Sequence, residues 1–192
     1  METIQSISPE QITGLILAGG RGTRMGGQDK GLVAVNGRPL IEQVLEALRP
    51  QVGSVIISAN RNIDRYQIYG YPVVADGMPG YPGPLAGILA GLDMATTGWM
   101  LVVPCDSVGF PPDLARRLAL EAVEGHALAV CSRDGDRTQP LHTLLATQLR
   151  QSLRDYLNAG HRRVLGWFEQ MNAPSVDFAD YQQPFPNLNS WP

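Results

Sequence analysis

Short apolar runs alternate with amphipathic stretches along the whole chain. Ile12–Leu17 reads as a short apolar strand, and Ser54–Ser58 and Met100–Val103 as buried ones. Val73–Ala75 is a further short strand. Leu40, Ile41, Val44, Leu45 and Leu48 fall on one face at helical spacing, which predicts a helix over Pro39–Leu48 that Pro50 ends. Pro84 opens a small-residue helix to about Ala95, and Pro111-Pro112-Asp113 starts one with Leu114 and Leu118 inward. Ala127–Cys131 and Leu141–Leu145 are predicted strands joined by the turn-rich segment Arg133–Arg137. Helices are predicted over Gln148–Ala159, with Gly160 just past its end, and over Val164–Met171. Strands alternating with helices predict a mostly parallel sheet covered on both faces, and the 133–137 turn predicts one antiparallel strand.

Directly after the first strand come five glycines, Gly19, Gly20, Gly22, Gly26 and Gly27, with Arg21, Arg24 and Lys30 among and after them. Glycine lets successive backbone N–H groups turn towards one point, and cations at the rim make such a loop an anion cradle. An ordinary tight turn is the plainer alternative, though it leaves the cations without a purpose. The P-loop pattern fails because Gly31 follows Lys30, and the dinucleotide fingerprint fails because Met25 stands where its third glycine belongs.

Asp106 ends the segment Val102-Val103-Pro104-Cys105-Asp106, just past a buried strand. In open parallel sheets, ligands bind at the carboxyl ends of strands, where the glycine loop also emerges. A carboxylate facing a phosphate needs a cation between them, and Mg²⁺ prefers that mixture of donors. Asp106 is therefore the candidate metal ligand, with helix capping as the alternative. Tyr81–Gly87 offers small residues, Ala86 and Gly87, against which a flat base could lie. Asp76 and Ser58-Ala59-Asn60-Arg61 end strands at the same edge. An NAD site would favour an acidic residue at the end of the second strand, and none stands among Ser58–Arg61, which counts against a dehydrogenase.

Later in the chain, Arg162 and Arg163 could clamp an acceptor phosphate, or equally form a solvated helix start. Asn187 and Asn189 could contact metal or acceptor. His126, His142 and His161 lack ligand spacing and read as structural or exposed.

Composition narrows the partners. A net charge of −3 argues against generic nucleic-acid or anionic-membrane binding, so the basic residues must act locally. No apolar run approaches the roughly 18 residues of a membrane span. Cys105 and Cys131 lack metal-type spacing and read as reduced thiols of a cytoplasmic protein. Met1–Gln11 has no basic segment followed by an apolar run, as a signal peptide would.

Leu17-Ala-Gly-Gly-Arg-Gly-Thr-Arg-Met-Gly26 with Asp29-Lys30-Gly31 resembles the signature of nucleotidyltransferases that load nucleoside monophosphates from triphosphates. The Met25-Gly-Gly-x-Asp-Lys ending, with Asn60-Arg61, Tyr81–Gly87, Pro104-Cys-Asp106, Gly160–Arg163 and Asn187-x-Asn189, resembles the molybdenum cofactor guanylyltransferase branch over essentially the whole chain. The resemblance implies a three-layer, Rossmann-like α/β fold of the nucleotide-diphospho-sugar transferase type. It implies transfer of GMP from GTP to molybdopterin bearing molybdenum, with Mg²⁺, for which Mn²⁺ could substitute. Leu17, Ala18, Gly19, Gly20, Lys30, Ser58, Asp76, Gly87 and Asp106 carry over as nucleotide-binding residues, and Lys30, Arg24 and Asp106 as catalytic ones. Arg162, Arg163, Asn187 and Asn189 fall to the acceptor.

One domain is expected, its nucleotide-binding half at about residues 12–110 and its acceptor half at about 111–192. A monomer is expected, with other cofactor-maturation proteins as possible partners. The chain departs from the family at Ser58, where Asn is frequent, and at Ser107-Val108-Gly109, where Thr-Pro is typical. Its tail also lacks the expected Thr-Pro-Glu-Glu helix. A cytidylyltransferase for the same pterin, a sugar-phosphate nucleotidyltransferase and a non-catalytic cofactor carrier are the rival readings.

Overall fold

The computed structural model describes residues 6–18, 29–77, 83–182 and 184–185. In chain order its elements are β1 (Ile12–Leu17), a hairpin of β2 (Ala34–Val35) and β3 (Arg38–Pro39), α1 (Leu40–Leu48), β4 (Ser54–Ser58), α2 (Ile63–Gln67), β5 (Val73–Val74) and α3 (Pro84–Met94). There follow β6 (Trp99–Pro104), α4 (Leu114–Glu124), β7 (Ala129–Asp134), β8 (Arg137–Ala146), α5 (Arg150–Asn158), α6 (Val164–Gln170) and β9 (Ser175–Asp177).

β1 lies inside the sheet, parallel to β4 on one side and to β6 on the other. Among the described residues the strand order is β5-β4-β1-β6-β8-β7-β9, with β2–β3 as a separate pair. A strand buried on both faces must be apolar on both, and successive side chains point opposite ways. Ile12 and Ile16 accordingly enter one core cluster and Leu15 the other; Leu101 and Val103 of β6 separate from Met100 and Val102 in the same way.

Helices cover both faces. The predicted stripe of α1, Leu40, Ile41, Val44, Leu45 and Leu48, is fully buried, and it shares a cluster with Leu114 and Leu118 of α4. Leu85, Ile88 and Leu92 of α3 join Leu153 and Leu157 of α5 and Trp167 and Phe168 of α6 on the opposite face. Three layers result, as expected.

The expected antiparallel strand is β8, which runs against both β6 and β7. Its turn at Gly135, with φ +57°, supplies the left-handed residue a tight hairpin needs. β8 runs well beyond the predicted Leu141–Leu145, because pairing with β7 continues to Asp134↔Arg137. The helix predicted over Gln148–Ala159 begins at Arg150, after a 3₁₀ turn over Thr147–Leu149. Gly160 follows it with φ +88°, in its expected role.

Candidate active site

Strand order reverses at β1. From β1 the chain moves outward through β4 to β5; α3 then carries it back to β6 on the other side of β1. A crevice opens between the carboxyl ends of strands at such a point. Leu17 stands level with Ser58 and with Pro104 in the sheet, so the segments after all three strands leave from one edge. Backbone bonds fix the departures: the Ala18 N–H donates to Ser58 O at 2.8 Å, and the Cys105 N–H to Leu17 O at 3.1 Å.

Asp106 lies immediately past β6, and Lys30 begins a 3₁₀ turn, Lys30–Leu32, that follows the glycine-rich segment. Lys30 Nζ donates to Asp106 Oδ2 at 3.0 Å. The two side chains keep 29% and 15% of their surface exposed, so the pair is open to a ligand and not sealed in the core.

The chain neighbour of each partner, Asp29 and Ser107, is buried and hydrogen-bonded. Asp29 is almost fully buried; its Oδ1 accepts from the Tyr66 hydroxyl at 2.5 Å and its Oδ2 from Asn62 Nδ2 at 3.0 Å. On the Asp106 side, Ser107 Oγ lies 2.7 Å from His142 Nε2, and both residues are buried. Burial pushes the His142 imidazole down to about 3, so it is neutral near pH 7. Its ring packs on Phe185 with centroids 4.5 Å apart. Burial also pushes the Cys105 thiol far above its ordinary range, which removes it as a nucleophile.

Ser58 is buried and faces Gly87 of α3: a Cβ on Gly87 would lie 2.7 Å from Ser58 Oγ. The small residue expected to admit a base thus also lets α3 approach β4 closely. Farther along the edge, Asn60 Nδ2 donates to Asp76 Oδ2 at 2.6 Å, and the Asp76 N–H donates to Asn60 Oδ1 at 3.0 Å. Asp76 also lines an open groove of about 390 Å³ with Asp93, Arg154 and Asn158.

Arg162 and Arg163 lie just past α5. That helix starts beside the far end of α3, where Arg150 Nε donates to Leu92 O at 3.0 Å, and so runs back towards the crevice edge. The Arg162 guanidinium donates to Leu157 O and His161 O at 2.7 and 2.6 Å, capping α5, and both arginine side chains are exposed. Gly19, Gly20, Arg24, Asn187 and Asn189 lie outside the described residues.

His142 is structural, as read from the sequence, and His126 and His161 are exposed. Asn62, Tyr66 and the Ser107–His142 pair were not legible as site residues. The only local signal was Asp29 beside Lys30, since their partners are distant in sequence.

Among the described residues no three acidic, histidine or cysteine side chains cluster. Asp106 is thus one carboxylate at the mouth of a crevice. That donor set suits Mg²⁺, which takes one or two carboxylates with phosphate oxygens and waters, and does not suit an all-protein metal cage.

The family pattern described as the MobA-like NTP transferase domain matches residues 14–173. A molybdenum cofactor guanylyltransferase of Serratia proteamaculans is 47% identical over 181 residues, covering 94% of this chain and 91% of that protein. The chain belongs to the molybdenum cofactor guanylyltransferase family. As a member it is a nucleotidyltransferase.

Solved structures agree in fold. Molybdopterin-guanine dinucleotide biosynthesis protein A of Archaeoglobus fulgidus superposes with a TM-score of 0.70 at 24% identity, covering 88% of this chain and 84% of its own. A Mycobacterium tuberculosis protein solved as a complex with manganese has a TM-score of 0.61 at 16% identity, covering 87% and 89%. At these identities the likeness speaks to the fold alone.

Proposed function

We propose that the chain transfers GMP from GTP to a terminal phosphate oxygen of molybdenum-bearing molybdopterin, releasing pyrophosphate and forming the guanine dinucleotide cofactor. The observation that carries this reading is the 3.0 Å contact between Lys30 and Asp106 at the switch point of the sheet, in a chain of this family. The name borne by relatives at nearly half identity supports guanine as the base and the pterin as the acceptor.

The acceptor phosphate is already anionic, so no strong general base is required. The enzyme's task is to hold two anions in line and neutralise charge on the leaving pyrophosphate. Lys30 Nζ, poised at the crevice, would donate to phosphate oxygens and stabilise charge as it shifts towards the leaving group. Arg24 and the amides of Gly19 and Gly20 would hold the same phosphates. Asp106 would hold Mg²⁺, with Mn²⁺ as substitute, jointly with the nucleotide; when bound, that ion neutralises phosphate charge.

Leu17, Ala18, Ser58 and Gly87 would form the floor on which the nucleoside rests. Asp76, its backbone and side chain tied to Asn60, would present a fixed acceptor to ribose or base. Arg162, Arg163, Asn187 and Asn189 would bind the acceptor, which assigns residues to about 110 to the nucleotide and the remainder to the pterin.

Pyrophosphate release measured with each of the four nucleoside triphosphates, with and without molybdenum-bearing molybdopterin, tests the reading. GTP-selective, acceptor-dependent release in Mg²⁺ is expected. Selective turnover of CTP would make the chain a cytidylyltransferase, and no release with any nucleotide would reduce it to a cofactor carrier.

A further inference from the structure

We propose that Asp29, Tyr66 and Asn62 form a positioning triad that sets Lys30 against the nucleotide phosphates. The inference rests on the role given to Lys30 above. Asp29 is the residue immediately before Lys30, and it is 9% exposed although it carries a carboxylate. Such a group stays in place only when its oxygens are hydrogen-bonded. Both are: the Tyr66 hydroxyl donates to Oδ1 at 2.5 Å, and Asn62 Nδ2 donates to Oδ2 at 3.0 Å. Two donors on two oxygens fix the plane of the carboxylate, and with it the backbone from which Lys30 departs.

Three further features belong to the same device. The main chain of Asp29 is bound as well, its carbonyl accepting from the Leu32 N–H at 3.0 Å within the turn that carries Lys30. Gly31 leaves the space that the tyrosine fills, since a Cβ there would meet Tyr66 Oη at 2.5 Å. Asn62 holds a left-handed φ of +50°, a strained conformation that only a few residue types accept and that delivers its amide to Asp29. Tyr66 is fully buried, and its hydroxyl is raised well above its ordinary range, first by burial and then by Asp29, so it acts as a donor.

Asp29 is thus held through both its side chain and its main chain, directly before Lys30. A cation placed to favour a transition state loses its value when its anchor shifts; a displacement of about 1 Å can cost about a hundredfold in rate.

Tyr66→Phe deletes one donor and keeps the ring. Asn62→Gly deletes the other and keeps the left-handed backbone. The measurement is pyrophosphate release by the full chain with GTP, Mg²⁺ and molybdenum-bearing molybdopterin, with melting curves to score folding. Each variant should lower kcat by about ten- to a hundredfold while KM for GTP moves by less than about threefold. In a Lys30→Ala background, either substitution should cost less than about a further twofold, because the group they position is gone. The Lys30→Ala background is read by single-turnover pyrophosphate release with enzyme in excess, which stays measurable when steady-state turnover is too slow.

Equal losses with and without Lys30 would overturn the triad and reduce Asp29 to a structural residue. Normal turnover in both folded single variants, with Lys30→Ala impaired, would also overturn it while leaving the proposed function intact. Normal turnover in Lys30→Ala would instead remove the role of the lysine.

Discussion

Lys30 Nζ and Asp106 Oδ2 stand 3.0 Å apart across the mouth of the sheet, although 76 residues separate them in the chain. One follows β1 and the other β6, which are adjacent and parallel. A fixed cation and a fixed anion at the opening of one crevice can share a polyphosphate, the lysine directly and the carboxylate through a divalent ion.

Asp106→Ala should therefore abolish turnover without unfolding the chain. The side chain is partly exposed and Lys30, its ion-pair partner among the described residues, is partly exposed too, so the melting temperature should shift by only a few degrees. The rate should fall by on the order of 10²–10³ or more, the scale of losing a preorganised charge-stabilising group. Pyrophosphate release and a melting curve on the same sample decide it; normal turnover would remove Asp106 from the site.

Lys30→Ala separates the two roles of the pair. Turnover should fall by on the order of 10²–10³. Mn²⁺ affinity measured without nucleotide should rise, since the lysine no longer competes for the Asp106 carboxylate. Paramagnetic titration of the free protein reads the second effect, and an unchanged or weaker Mn²⁺ affinity would show that the two do not compete.

The sequence announced Lys30 and Asp106 but not what supports them. Glycines and cations crowded after one apolar run are a local signal, as is an aspartate ending another. Parallel pairing of those runs then follows from the strand–helix alternation. The triad on Asp29 was hidden because Tyr66 lies 37 residues away, on a five-residue helix too short to show periodicity. β9 has only three residues and went unseen for the same reason. The β2–β3 hairpin did carry a signal, the dipeptide Asn36-Gly37, which takes left-handed φ of +54° and +78° as a tight turn demands.

His142 gives the protein an acid-sensitive stability. Its folded-state imidazole is lowered to about 3 from an ordinary value of 6.5 by burial. The unfolded chain therefore binds the extra proton in that window, and stability falls as pH drops from about 6.5 towards 3. The slope from this one group approaches about 1.4 kcal/mol per pH unit. Urea midpoints of the parent and His142→Asn at pH 7 and pH 4.5 should show a smaller pH difference in the variant. Equal differences would assign the acid sensitivity to other groups.

Gly14→Ala probes the close packing of β1 against the end of α1. A Cβ there would lie 2.8 Å from Leu48 Cδ2 and 3.1 Å from both Leu48 Cγ and Val52 Cγ2. Overpacking of this kind costs about 1–3 kcal/mol, against about 0.5–1 kcal/mol gained by replacing a strand glycine. A net destabilisation is expected, with kcat of the folded fraction close to the parent value. Denaturant unfolding checks the first part, and a more stable variant would show that α1 yields without strain.

The most direct measurement is a structure of the chain with GTP and Mn²⁺, in which anomalous scattering locates the ion. The account predicts the ion on the Asp106 carboxylate and on phosphate oxygens of one nucleotide, with Lys30 Nζ within hydrogen-bond distance of that same polyphosphate. A triphosphate bound away from Lys30, or an ion bound without Asp106, would contradict it.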